Sequence, residues 1–150
     1  MRAPHAWMVV VQFALLLLLL LPGGPLWSTP IVTAIAAIVG LSGLAVSIAG
    51  IAALGRDIVP WVAPKPGAPL RTTGAYRYTR NPVYLGLIVA SAGWVLWRAR
   101  IELIVVWLLL TALLVAKARV EQRYLRAAFG SEYLDYAART PLVLPGRRRG

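Results

Sequence analysis

The chain has no cysteine and a single histidine, His5. Disulfides and thiolate chemistry are therefore excluded, and no Cys/His zinc site can be assembled. Only 5 acidic residues are scattered through 150, and with one histidine they offer no plausible spacing for a Ser-His-Asp arrangement. Charged residues of both signs make up 14% of the chain, whereas 59% is hydrophobic, more than a soluble domain of this length carries. The composition predicts one domain's worth of membrane protein. Without cysteine, the redox compartment cannot be read.

Four apolar stretches are present: Ala6 to Leu21, Ile31 to Leu54, Pro82 to Trp97 and Ile101 to Ala116. At about 1.5 Å per residue the second is long enough to cross a hydrocarbon core of about 30 Å, and the last two are short for that. The pattern predicts an all-α, polytopic membrane protein with about four transmembrane helices. Residues 1–55 would hold two N-terminal helices and 56–81 a proline-rich cytoplasmic loop. Residues 82–118 would form a tight transmembrane hairpin through Arg98, Ala99 and Arg100, and 119–150 a cytoplasmic amphipathic helix with a basic tail. The first segment resembles a signal peptide, with Arg2, an apolar run and Pro22-Gly23-Gly24, but no small-x-small cleavage site follows closely, which favours a retained helix.

The net charge of +11 invites a nucleic-acid reading, which its distribution argues against. With both termini in the cytoplasm, only Arg98 and Arg100 of the 16 Lys and Arg residues fall outside, the bias of a multi-pass membrane protein. Arg147, Arg148 and Arg149 read as an anchor for anionic lipid headgroups.

In the second segment Ala36, Gly40, Gly43, Ser47 and Gly50 recur at spacings of three and four, a face that lets another helix approach closely. The leucine-rich first segment is the expected partner. From Arg56 to Arg80, Pro60, Pro64, Pro66 and Pro69 prevent regular helix, and the loop is expected to flank or cover a cytoplasm-facing pocket. The fourth helix is expected to continue as KARVEQRYLRAAF until Gly130 stops it, with Ser131 capping SEYLDYAAR.

Polar residues concentrate in GAYRYTRNPVYLG, Gly74 to Gly86, and in Glu121 to Tyr136, at the two ends of the hairpin and on one predicted side. Arg80 and Glu121 can form either a salt bridge or opposite walls of a site for a zwitterionic ligand; charged residues at helix ends also simply snorkel. Tyr76, Tyr78 and Trp97 read equally well as an interfacial aromatic belt, Glu102 as compensation for the helix dipole and for Arg98 and Arg100, and Phe129 as packing.

GAYRYTRNPVYLG followed by EQRYLRAAFGSEYLDYAARTPLVLP resembles the isoprenylcysteine carboxyl methyltransferase and phospholipid N-methyltransferase superfamily, over about Arg56 to Pro145. The resemblance implies an integral membrane enzyme that binds S-adenosylmethionine at the cytoplasmic ends of the hairpin. It would methylate a lipid-like acceptor arriving from the bilayer, an isoprenylcysteine carboxylate or a phospholipid. By motif position, Tyr76, Arg80, Asn81, Pro82, Tyr84 and Gly86 would line the cofactor pocket, with Glu121 beside them and Tyr133 and Tyr136 near its mouth; Arg80 and Glu121 would carry the chemistry. Asn81 stands where many members have histidine, and Gln122 where a second glutamate is usual.

The residue inventory suits methyl transfer, in which the cofactor brings the electrophile and the protein supplies alignment and a dry environment. A carboxylate acceptor is already ionised at neutral pH and needs no base; Arg80 or Arg77 would orient it, and tyrosine faces would stabilise a sulfonium by about 0.5–2 kcal/mol. A steroid-reductase-like NADPH oxidoreductase, which has a similar Arg-x-Pro-x-Tyr element, and a non-catalytic membrane assembly or lipid-binding protein are the alternatives.

Overall fold

The computed structural model describes residues 5–57, 59 and 65–143. Arg2, Pro60, Pro64, Pro145 and the Arg147–Arg149 tail, singled out above, lie outside the described residues. Within the described residues four helices form: α1 (Ala6–Leu18), α2 (Pro30–Leu54), α3 (Pro82–Arg98) and α4 (Ile101–Arg139), with 3₁₀ turns at Gly55–Asp57 and Gly74–Arg77. Among the described residues there is no strand.

Local chemistry sets the helix ends. The Thr29 hydroxyl accepts from the Val32 amide at 3.2 Å and Pro30 opens α2, where its missing N–H costs nothing. At the end of α3, Ala99 adopts the left-handed conformation (φ 49°, ψ 48°) and its N–H donates to the Val95 carbonyl, so a single residue turns the chain toward α4. The expected hairpin through Arg98 and Arg100 is therefore present. In α4 the helical backbone is interrupted at Gly130 (φ 53°, ψ −123°), the position where the sequence predicted a stop. The chain resumes helix there and reaches Arg139.

The expectation of four spanning helices needs correction. Among the described residues, only α2 with its following turn, Pro30–Asp57, and α4 are long and apolar enough to cross a membrane. With 13 residues α1 is about 20 Å long, and α3, with 17, about 26 Å. The leucine run leaves the helix in a turn at Leu19 and Leu20, ahead of Pro22-Gly23-Gly24, and α3 is confined between Pro82 and the left-handed Ala99. The outer face of α2 matches a hydrocarbon environment: Ile31, Ile38, Leu41 and Ile48 are each 63–73% exposed.

The partner of α2 also differs from expectation. Its small-residue face meets α3, not α1. A Cβ on Gly43 would lie 2.7 Å from the Ala90 Cα and 2.7 Å from the Gly86 carbonyl oxygen, and one on Gly93 only 2.6 Å from the Gly40 Cα. These distances are impossible for a real side chain, so the two backbones touch because neither carries one there. The Ser47 hydroxyl donates to the Val83 carbonyl at 3.1 Å across the same seam. The physical reason is reciprocity: α3 has its own stripe of Gly86, Ala90 and Gly93, whereas the bulky leucines of α1 allow no such approach.

Helix α1 packs instead on α4. Leu15 and Leu19 join Ile88 and Val95 of α3 and Leu103, Leu110, Leu114 and Ala118 of α4 in the buried core. Trp107 Nε1 donates to the Ile88 carbonyl at 2.9 Å, and Trp94 Nε1 to the Leu19 carbonyl at 2.8 Å. The α1–α2 connection folds onto the α3–α4 turn: the Leu26 N–H donates to the Ala99 carbonyl, Arg98 to Leu21, and Arg100 to Pro22 and to the Glu102 carboxylate. Glu102 thus neutralises Arg100, as its position suggested. The remaining helix ends gather at the opposite pole.

Because a methyl group has no space at the α2–α3 crossing, Gly43→Ala should lower stability by about 1–3 kcal/mol, whereas Gly24→Ala, in open space, should have no effect. Thermal unfolding of both variants in the same detergent checks this.

Candidate functional site

At that opposite pole the helices enclose a cavity of about 440 Å³, within the range of about 300–1,000 Å³ that suits small ligands. Helix α4 contributes Lys117, Glu121, Leu125 and Phe129, whose spacing of four puts them in one stripe facing the cavity. The segment entering α3 contributes Tyr76, Arg80, Asn81, Val83 and Tyr84; α1 contributes Val9, Gln12 and Phe13; and α2 contributes Leu54. The described part of the proline-rich loop, including Asp57, Lys65, Pro69 and Arg71, forms a further wall.

Tyr84 and Glu121 line the cavity together. Lys117, one helical turn before Glu121, donates to Gln12 Oε1 at 2.8 Å and lies 5.3 Å from the centroid of the Tyr84 ring. Arg80 Nη1 donates to Gln122 Oε1 at 2.9 Å and to the Tyr133 hydroxyl at 3.2 Å, while its Nε is buried with no partner. Gln122 therefore holds the guanidinium without cancelling its charge, as a glutamate would. Arg80 and Glu121 line one cavity, and no ion pair joins them.

The motif before α3 is clamped by the chain after α4. The Thr79 hydroxyl donates to the Val143 carbonyl at 2.8 Å, the Asn81 side-chain amide to the Leu142 carbonyl at 2.8 Å, and the Arg80 backbone N–H to the Pro141 carbonyl at 2.9 Å. The Tyr136 hydroxyl closes the clamp by donating to the Tyr76 carbonyl at 2.6 Å. Burial, and secondly the Glu121 carboxyl, push the Tyr76 phenol above its ordinary value, so it stays protonated at neutral pH.

Six of the nine residues expected at the site line the cavity: Tyr76, Arg80, Asn81, Tyr84, Glu121 and Tyr136. Three do not. Pro82 is fully buried beside Gly50 of α2, and Gly86 lies against Ser47 and Gly43, so its missing side chain serves the helix crossing. Tyr133 is 1% exposed and holds Arg80 from behind. Arg77, offered beside Arg80 as an orienting cation, is exposed and lies outside the lining, whereas Phe129, read as packing, is part of it.

Sequence reasoning missed Gln12, Asp57, Lys65, Arg71 and Lys117. Lys117 was detectable, since a lysine four residues before Glu121 must share its helix face. The other four sit outside both motifs and are brought in by tertiary contacts.

A family model described as phospholipid methyltransferase matches residues 31–132. The match runs from the start of α2 through Arg80 and Glu121 and ends just before Tyr133. No curated protein and no solved structure matches the chain.

Tyr136→Phe removes the donor to the buried Tyr76 carbonyl and should cost about 1–3 kcal/mol of stability. Hydrogen exchange at the Arg80 amide, bonded to Pro141 in the same clamp, should accelerate measurably.

Proposed function

The chain belongs to the phospholipid methyltransferase family, and we propose that it transfers a methyl group from S-adenosylmethionine to a lipid-like acceptor within the bilayer. The observation that carries this reading is the convergence of Arg80 and Glu121 on one cavity of about 440 Å³ without pairing to each other. Opposite charges held apart in a largely apolar pocket complement a ligand with both a cationic and an anionic group. Arg71 and Arg80 both line that pocket, and a guanidinium suits an oxyanion. The residues present thus fit the cofactor.

When bound, S-adenosylmethionine supplies the electrophilic methyl group. Glu121 would accept hydrogen bonds from its amino group, and the rings of Tyr76 and Tyr84, which line the same cavity, would stabilise its sulfonium. Val9, Phe13, Val83, Leu125 and Phe129 give the cavity an apolar wall that matches an apolar tail. A carboxylate acceptor requires no base. For a phospholipid amine, whose ammonium must lose a proton before attack, Glu121 is the carboxylate in place to take it, because Asp57 is held by Arg71 at 2.8 Å and Lys65 at 3.6 Å.

In this reading the protein is an integral, multi-pass membrane enzyme with its pocket and both termini on the cytoplasmic side. Arg98 and Arg100 mark the far pole, which accords with the positive-inside bias.

S-adenosylhomocysteine should raise the melting temperature more than NADP does, and labelled methyl groups should enter a lipid extract. Glu121→Gln and Arg80→Ala should each lower that transfer about 100-fold, since both groups set alignment. Full activity in both variants, or a larger shift with NADP, would overturn the assignment.

A further inference from the structure

We propose that Arg71, together with Arg80, forms an oxyanion subsite within this cavity, taking a carboxylate or phosphate group. Arg71 lies outside both sequence motifs, yet it faces the same cavity as Arg80. Among the described residues, four buried side-chain nitrogen or oxygen atoms have no hydrogen-bond partner, and two of them are the Nε atoms of these arginines. A buried N–H on a cationic group that finds no acceptor in its own protein is costly, and each of these two belongs to a guanidinium whose residue lines the cavity.

Each guanidinium is held in place by its other nitrogens. Arg71 Nη2 donates to Asp57 Oδ2 at 2.8 Å, and Arg80 Nη1 is fixed by Gln122 and Tyr133. Both are therefore oriented before a ligand arrives. Asp57 does not cancel the site, because Lys65 also approaches it at 3.6 Å, leaving two cations against one carboxylate on that wall. Arg80 adds a third cation, paired only with neutral groups. A charge-assisted contact of this kind discriminates an anionic ligand from its neutral analogue by about tenfold or more.

The inference rests on the methyl-transfer reading only for the ligand's identity. Two sources share the chemistry: the amino-acid carboxylate of the cofactor, and the acidic headgroup of an acceptor lipid. Calorimetry with S-adenosylhomocysteine and with its decarboxylated analogue reads the first. Binding of phosphatidic acid against diacylglycerol, both in phosphatidylcholine nanodiscs holding the full chain, reads the second. In one of these pairs the wild-type protein should prefer the anionic member by about tenfold, and Arg71→Gln should abolish that preference with the melting temperature little changed. Asp57→Asn breaks the same ion pair from its other side and should retain the preference, which a merely structural Arg71 would not allow.

Equal binding of anionic and neutral members in both pairs, or loss of the preference in Asp57→Asn as fully as in Arg71→Gln, would overturn the subsite. The two readings fail separately. No binding of S-adenosylhomocysteine would count against the cofactor assignment, while an Arg71-dependent preference for phosphatidic acid would still establish the subsite.

Discussion

The contact on which the architecture depends is the side-chain-free crossing of α2 and α3. Within lipid no hydrophobic force drives one apolar helix onto another, so association must come from close packing and from the few hydrogen bonds available. Gly40 and Gly43 on one helix and Gly86 and Gly93 on the other allow backbone to meet backbone, and Ser47 adds a bond to Val83 across the seam. The crossing also fixes where the motif before α3 begins. Pro82 and Val83 lie against Gly50 near the end of α2, which sets Arg80 and Asn81 at the pole where α2 gives way to the loop.

A second constraint comes from the far end of the chain. Helix α4 reaches well beyond the hairpin and is bent at Gly130, so the residues after it fold back toward the start of α3. Bonds from Tyr136, and to Pro141, Leu142 and Val143, then hold the 76–81 segment. The cavity has its two charged walls on separate elements, Arg80 ahead of α3 and Glu121 on α4. That separation is what keeps the charges from collapsing onto one another: Arg80 is held by Gln122 and Tyr133, and no ion pair joins it to Glu121.

Helix positions were legible because apolar runs, Pro30, Pro82 and Gly130 act locally. The number of helices long enough to span was not, since apolar length and helical length part company where the leucine run turns at Leu19. The pairing of α2 was legible in the matching stripe of Gly86, Ala90 and Gly93, although the leucine-rich first segment was the expected partner. Within the site, Arg80 and Glu121 were legible from motif position, whereas Arg71 and Asp57 were not, because their place in the cavity depends on how a proline-rich segment lies across it. Gly86 illustrates the converse: a glycine within a functional motif can serve the scaffold.

The placement of the cavity follows from what each solvent tolerates. Charged groups are expensive in hydrocarbon, and the described polar lining, from Asp57 and Arg71 through Arg80 to Lys117 and Glu121, collects at one pole of the bundle. An apolar acceptor tail favours the opposite environment, and Val9, Phe13, Leu125 and Phe129 supply it in the same cavity. For the proposed reaction, a charged cofactor and a lipid-like acceptor would meet where these two requirements overlap, at the boundary between the apolar helices and the polar segments that close them. Arg98 and Arg100 show the cost of the alternative. At the other pole both guanidinium groups donate to backbone carbonyls of the α1–α2 connection, and Arg100 also pairs with Glu102, so their charges stabilise a turn and are not available to a ligand. Arg80 differs in that both of its partners, Gln122 and Tyr133, are neutral, so its charge is not cancelled within the protein.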